Sequence, residues 1–172
     1  LVARTIAQQY AIEFGEATSP HQYALSVKAG IDAVAHSVKA HTSQFPDSVV
    51  LSVDGVGAYD NVKRVEMLKG LHQRETLRPL IPFVRMNYGR DSEYTYVENN
   101  RTVHEIKQAQ GGEQGDPLMP ALFCLALAPS LKQCSEERTR RGVRHQIYAY
   151  LDDIYIVTCP ERARAASSPP PP

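Results

Sequence analysis

The chain has 172 residues, 42% of them apolar and 22% charged, and its 19 Lys+Arg balance 19 Asp+Glu to a formal net charge of zero. That length is enough for one domain, with or without tails, to bury a core without disulfide or metal staples. The composition excludes wholesale disorder, and the charge excludes a histone-like protein held to nucleic acid by bulk charge, though not a local basic surface.

In chain order, residues 1–20 are mixed in character and break at Ser19-Pro20. From Gln22 to His41, Leu25, Val27, Ile31, Val34, Ala35 and Val38 recur at helical spacing, with Gly30 as the weak point. A turn at Gln44–Asp47 leads into Val49–Asp54, which reads as a buried strand. Asn61–His72 reads as a helix capped by Asp60 or Asn61, and a second helix lies within Thr76–Tyr88 with Pro79 in its first turn. Glu93–Glu98 and Thr102–Gln108 form a hairpin about Asn99-Asn100-Arg101. Gly111–Asp116 is loop, Pro117 opens a helix, and Leu118–Lys132 is a core helix. Gln146–Leu151 and Ile154–Thr158 are apolar strands with Asp152-Asp153 in the turn between them. The stretch from Ala163 to the terminal SSPPPP is expected to be extended or disordered. The order helix, strand, helix, helix, hairpin, helix, hairpin is that of an α+β protein with an antiparallel sheet.

No run of 18 apolar residues is present, so no membrane span is expected, and the N-terminus lacks the pattern of a signal peptide. Cys124, Cys134 and Cys159 are odd in number and form no C-x-x-C pair. An intracellular, reducing setting without a zinc site is expected.

Three segments carry polar groups that could act together. Asp54 ends an apolar strand and precedes Gly55 and Gly57, so its carboxylate could reach a cation or a phosphate; for this segment alone a turn or helix cap is the plainer explanation. Gly111–Pro120 offers backbone N–H groups and the Gln114 amide to a phosphate or a base pair, but glycine-rich loops before helices are common. Asp152-Asp153 sets two like charges on a tight turn, which favours a nearby cation, although a structural turn is the plain alternative.

Taken in order, these segments resemble the palm of the reverse transcriptase family, in a form like that of non-LTR retroelements. Motif A reads Asp54-Gly55-Val56-Gly57-Ala58-Tyr59, motif B reads Gln114-Gly115-Asp116-Pro117-Leu118-Met119-Pro120, and motif C reads Tyr150-Leu151-Asp152-Asp153. The stretch from Pro20-His21-Gln22-Tyr23 through Gly30, Asp32 and His36 also resembles the segment before motif A, and the likeness runs from Ala3 to Pro160. It implies a palm of antiparallel sheet packed on helices (ferredoxin-like, split βαβ), with partial fingers and no thumb. The implied division is 1–48 partial fingers, 49–160 palm and 161–172 proline-rich tail.

The implied reaction is RNA-directed DNA polymerisation: a primer 3′-hydroxyl attacks a dNTP with two Mg²⁺ ions bound, Mn²⁺ being a substitute. Template would be RNA or DNA, and primer DNA. Asp54 and Asp152 would bridge the metals, with Asp153 nearby and the Gly55 carbonyl as a backbone ligand. Tyr59 would crowd a ribose 2′-hydroxyl, Gln114 and Gly115 would line the nucleotide pocket, and Tyr150 would lie near the primer end. Lys132, Arg138, Arg140, Arg141 and Arg144 would touch the nucleic-acid backbone or form a solvated loop. The family's basic fingers residues and thumb are not recognisable, which implies a longer polyprotein that supplies them. The alternative is an inactive, truncated remnant that binds nucleic acid weakly. A viral RNA-dependent RNA polymerase fits less well, because Tyr59 stands where a second aspartate is usual and motif C lacks Gly-Asp-Asp.

Overall fold

The structure, a computed structural model, describes residues 1–25, 27–140 and 145–167, with side chains for all of these except 137–140 and 164–167. Eight α-helices and five strands are described: α1 Val2–Gln9, α2 Ala11–Thr18, α3 Gly30–Gln44, β1 Val49–Val53, α4 Ala58–Asn61, α5 Arg64–Gln73, α6 Ile81–Tyr88, β2 Ser92–Val97, β3 Val103–Gln108, α7 Met119–Arg140, β4 His145–Tyr150, β5 Asp153–Thr158 and α8 Pro160–Ser167. A 3₁₀ segment, Glu75–Leu80, joins α5 to α6. The α+β class holds, but the strands form two sheets: an antiparallel β1-β5-β4 sheet and a separate β2-β3 hairpin.

Two faces of the three-stranded sheet are covered by different helices. Side chains alternate along a strand, so Tyr148 of β4 and Val157 of β5 meet Val34 and Val38 of α3. On the other face, Ile147 and Ala149 meet Leu131 of α7, with Ile154 and Ile156 beside them. This double cover explains why β4 and β5 are apolar at successive positions. A larger core lies beyond α7. Phe14 of α2, Met67 and Leu71 of α5, Leu77 of the 3₁₀ segment and Val84 of α6 close on Leu122 and Leu125. A Cβ at Gly70 would stand 2.7 Å from Leu125 Cγ, so only glycine lets α5 approach α7 this closely.

Several boundaries differ from expectation, each for a local reason. The helix expected from Gln22 begins at Gly30, because Gln22 instead forms a parallel bridge with Ala149 of β4. Val27 and Ile31, expected on its apolar face, are exposed. Strand β1 is not buried throughout: it is an edge strand that ends at Val53, with Val50 and Val53 exposed. The helix expected over Asn61–His72 is two pieces. The Asn61 side chain donates to the carbonyls of Val56 (3.1 Å) and Gly57 (3.0 Å), closing a single turn, and extended Val62 and Lys63 separate it from α5. Neither Asp60 nor Asn61 caps α5, whose N-cap is Lys63.

Helix α7 starts at Met119 rather than at Pro117, because Asp116 Oδ1 accepts the Leu118 N–H (2.9 Å) in an Asx turn. It continues to Arg140, so the basic stretch is helical up to there, while Arg141 and Arg144 lie outside the described residues. Ala163–Ser167 is helical rather than extended: Pro160 opens α8, and the Cys159 carbonyl accepts N–H groups from Arg162 and Ala163. The terminal prolines from Pro169 lie outside the described residues. The expected hairpin is present, with Tyr94 opposite Ile106 and Tyr96 opposite His104, and most of its residues are exposed.

The contrast between core and hairpin is measurable. Leu122→Ala should cost about 3 kcal/mol through lost burial and a cavity, whereas Val97→Thr on the exposed hairpin should stay within about 0.5 kcal/mol. Urea unfolding of the two variants checks both values.

Candidate active site

Strand register brings the acidic motifs together. Val53 pairs with Ile154, so Asp54, the next residue after β1, emerges beside Asp153 at the start of β5. The turn between β4 and β5 is Leu151-Asp152. Asp153 therefore pairs with Tyr150 and is the first residue of β5 rather than part of the turn. Leu151 takes a φ of 58°, a conformation unusual for a side chain without local hydrogen-bonding groups.

The two adjacent aspartates meet different surroundings. Asp153 lines an apolar groove of about 450 Å³ with Tyr150, Tyr155, Val50, Val34 and Ile31, on the α3 face. Asp152 is half-buried on the α7 side, where its charge reaches Tyr59 and Cys124. The carboxylates of Asp54, Asp152 and Asp153 make no hydrogen bond or ion pair with any described residue. Among the described residues, no three His, Cys, Asp or Glu side chains are grouped closely enough to hold a metal by themselves. The Gly55 carbonyl accepts the Ala58 N–H (3.1 Å), which leaves one of its two lone pairs.

Three residues expected around a nucleotide lie close together. Tyr59, Gln114 and Gly115 line one concavity of about 390 Å³ together with Met119 and Pro120. Tyr59 stacks on Phe123 of α7, ring centroids 4.8 Å apart. Burial, and after it the neighbouring Cys124 and Asp152, raises the Tyr59 hydroxyl pKa, so Tyr59 acts here as a neutral ring. Gly115, at φ 92°, faces open space where a Cβ would be.

Residues to which the sequence analysis gave no role hold this arrangement. The N–H of Gly111 donates to Val62 (2.8 Å) and that of Gly112 to Tyr59 (3.1 Å), strapping motif B to motif A. Buried Arg64 donates from Nε to the Gly111 carbonyl (2.8 Å), and from its terminal nitrogens to the Arg90 carbonyl (2.6 Å) and Ser92 Oγ (3.0 Å). Its guanidinium also lies over the Tyr88 ring. The one signal in the sequence was a cation in the first turn of a predicted helix, the unfavourable sign for that end of the dipole. Asp116 accepts the Tyr88 hydroxyl at 2.5 Å. Glu113 accepts the hydroxyl of Tyr94 on the hairpin.

Cys124 is buried behind Tyr59. Burial first, and the charge of Asp152 second, pushes its thiol up to about 12 from an ordinary 9.0. A raised folded-state pKa makes this contribution to stability full below pH 9.0 and lost as pH rises toward 12. The urea midpoint should fall across that window, less so in Cys124→Ala. At pH 8, alkylation should label half-buried Cys134 and Cys159 and spare Cys124.

The reverse transcriptase (RNA-dependent DNA polymerase) family model matches residues 2–167. The chain is 28% identical over 112 residues to the retrotransposable element SLACS 132 kDa protein of Trypanosoma brucei gambiense, an alignment that covers 65% of this chain and 9% of that protein. In fold it is similar to telomerase from Candida albicans, solved in complex with a TWJ fragment of telomeric RNA. That TM-score is 0.67 at 11% identity, over 96% of this chain and 31% of the telomerase chain. The chain thus spans a small part of the retrotransposon protein and about a third of the telomerase chain. No described helix is long and apolar enough to cross a membrane. A match that runs from α1 into α8 and takes in all three motifs leaves no other assignment: this chain belongs to the reverse transcriptase (RNA-dependent DNA polymerase) family.

Proposed function

We propose that this chain is the palm of a retroelement reverse transcriptase, adding dNTPs to a DNA primer 3′-hydroxyl on an RNA or DNA template. The observation that carries this reading is the register of β1 on β5, by which Asp54 emerges beside the Asp152-Asp153 segment. Carboxylates gathered without a protein cation are a fitting donor set for hard divalent ions. Mg²⁺ commonly takes one or two protein carboxylates and completes its shell with phosphate oxygens and water. Two aspartates therefore suffice, and the reading needs no three-ligand protein cluster, of which the described residues hold none.

In this reading Asp54 and Asp152 hold two Mg²⁺ ions, which Mn²⁺ can replace, and the free lone pair of the Gly55 carbonyl is available as a further ligand. Bound, the ions supply Lewis acidity to the attacking hydroxyl and to the leaving pyrophosphate. Asp153, on the other face of the sheet, adds negative charge and keeps company with Tyr150, which fits a place beside the primer strand. Tyr59, fixed by its stack on Phe123, presents a ring edge to the sugar and crowds a 2′-hydroxyl. Gln114 and Gly115 face the same concavity and orient the incoming nucleotide. Fingers and thumb from a longer polyprotein would clamp the substrates in an intracellular setting. The relative's description as a retrotransposable element protein supports the retroelement context.

The deciding experiment is Mg²⁺-dependent extension of a DNA primer annealed to RNA. Asp54→Asn and Asp152→Asn should each lose at least about a hundredfold in rate, beyond what weakening a mere supporting group of a metal site costs. Extension that survives both substitutions would refute the reading. Tyr59→Ala should raise rNTP incorporation relative to dNTP by about tenfold or more, read from single-nucleotide addition with each substrate.

A further inference from the structure

Gln22 lies 129 positions in sequence from the Leu151-Asp152 turn, yet its side chain is bound to that turn. Its residue is only 4% exposed. The backbone on either side is pinned to β4: the Ala149 N–H donates to the His21 carbonyl (2.8 Å), and the Tyr23 N–H donates to the Ala149 carbonyl (2.8 Å). Residues 21–23 thus form a short parallel addition to the free edge of β4. From there the carboxamide reaches Leu151. Its Oε1 accepts the Leu151 N–H (2.8 Å) and its Nε2 donates to the Leu151 carbonyl (3.2 Å). Oε1 also accepts the Ala24 N–H (3.2 Å).

Both backbone polar groups of Leu151 are therefore satisfied by one side chain. Leu151 is the residue at φ 58°, a conformation that costs free energy for a side chain with a Cβ and persists where the surroundings over-determine it. Asp152 follows it directly, so the direction of the Asp152 carboxylate depends on the peptide that Gln22 grips.

We propose that Gln22 is a positioning residue for the metal-holding turn: its carboxamide clamps Leu151 in the left-handed conformation and so aims Asp152 at the side of the sheet shared by Tyr59. This rests on the reading of Asp152 as a metal-holding carboxylate. A glutamine is suited to the role because it donates and accepts at once without bringing a charge to a site that must attract a cation. A lysine or glutamate there would satisfy one backbone group and alter the field at Asp152.

The test uses the full chain with Gln22→Ala and with Gln22→Met, the second keeping the buried volume while removing both hydrogen bonds. Two quantities are read: amide exchange at Leu151 by NMR, and Mn²⁺ affinity by EPR. Both variants should exchange Leu151 about tenfold faster while amides of α5 and α7 are unchanged, the signature of local rather than global opening. Mn²⁺ affinity should fall about tenfold, as when support is removed from a ligand. Should Gln22→Ala fail to fold, Gln22→Met decides. Unchanged exchange at Leu151 overturns the proposal. Faster exchange with undiminished Mn²⁺ affinity also overturns it, leaving Gln22 a structural residue alone. A wild-type chain that binds no Mn²⁺ defeats the two-ion reading itself and the inference with it, a result told apart by the behaviour of the unsubstituted protein.

Discussion

The guanidinium of Arg64 joins three stretches of chain that no secondary structure connects: the segment after motif A, the start of the hairpin and the glycine pair just before motif B. Arginine suits this place because its planar fork of donors can satisfy several carbonyls in one plane. A buried cation is costly unless fully hydrogen-bonded, and here the bonds to Gly111, Arg90 and Ser92, with the Tyr88 ring, offset that cost. The concavity that unites Tyr59 with Gln114 exists because the loops on either side are held to this centre. Gly111 takes part at φ 68°, and a Cβ there would stand 2.3 Å from the Asp60 carbonyl oxygen, so the strap requires glycine.

From that hub two rigid layers extend. Tyr88, beneath the guanidinium, binds Asp116, and Asp116 in turn caps the start of α7. Helix α7 then serves both cores, meeting the helical layer through Leu122 and Leu125 and the sheet through Leu131. The sheet carries Asp152 and Asp153 at one end and α7 carries Phe123 under Tyr59, so one helix relates the acidic end to the concavity lined by Tyr59 and Gln114. Among the described residues, the hairpin is tied to this frame at its base, by Arg64 with Ser92 and by Glu113 with Tyr94. The rest of it projects into solvent with Tyr96, Val97, Val103 and Ile106 exposed. A two-stranded ribbon is marginal on its own, so these basal contacts are what hold it.

The end of the β4–β5 ladder also differentiates two residues that are neighbours in sequence and identical in chemistry. Asp152 stands in the turn on the side of Tyr59 and Cys124, while Asp153 belongs to the strand and the opposite face. An edge position for β1 has a related consequence. It exposes part of the strand but frees its end, so that Asp54 leaves the ladder beside β5.

By itself the sequence determined what is local or compositional. Short β-prone segments on either side of Asn99-Asn100-Arg101 specified the hairpin, the apolar run from Leu118 specified a core helix, and three motifs in order specified the family. The convergence of Tyr59, Gln114 and Gly115 was legible because the motif order implied it. Tertiary structure alone decided the start of α3, the division into two sheets, the exposure of β1, the separation of Asp152 from Asp153, and the work of Arg64 and Gln22. The reason is physical. Periodicity and turn chemistry act over a few residues, whereas Arg64 finds its partner 47 positions away and Gln22 finds its own 129 away. Only the folded chain sets which backbone groups are buried there and in need of a partner.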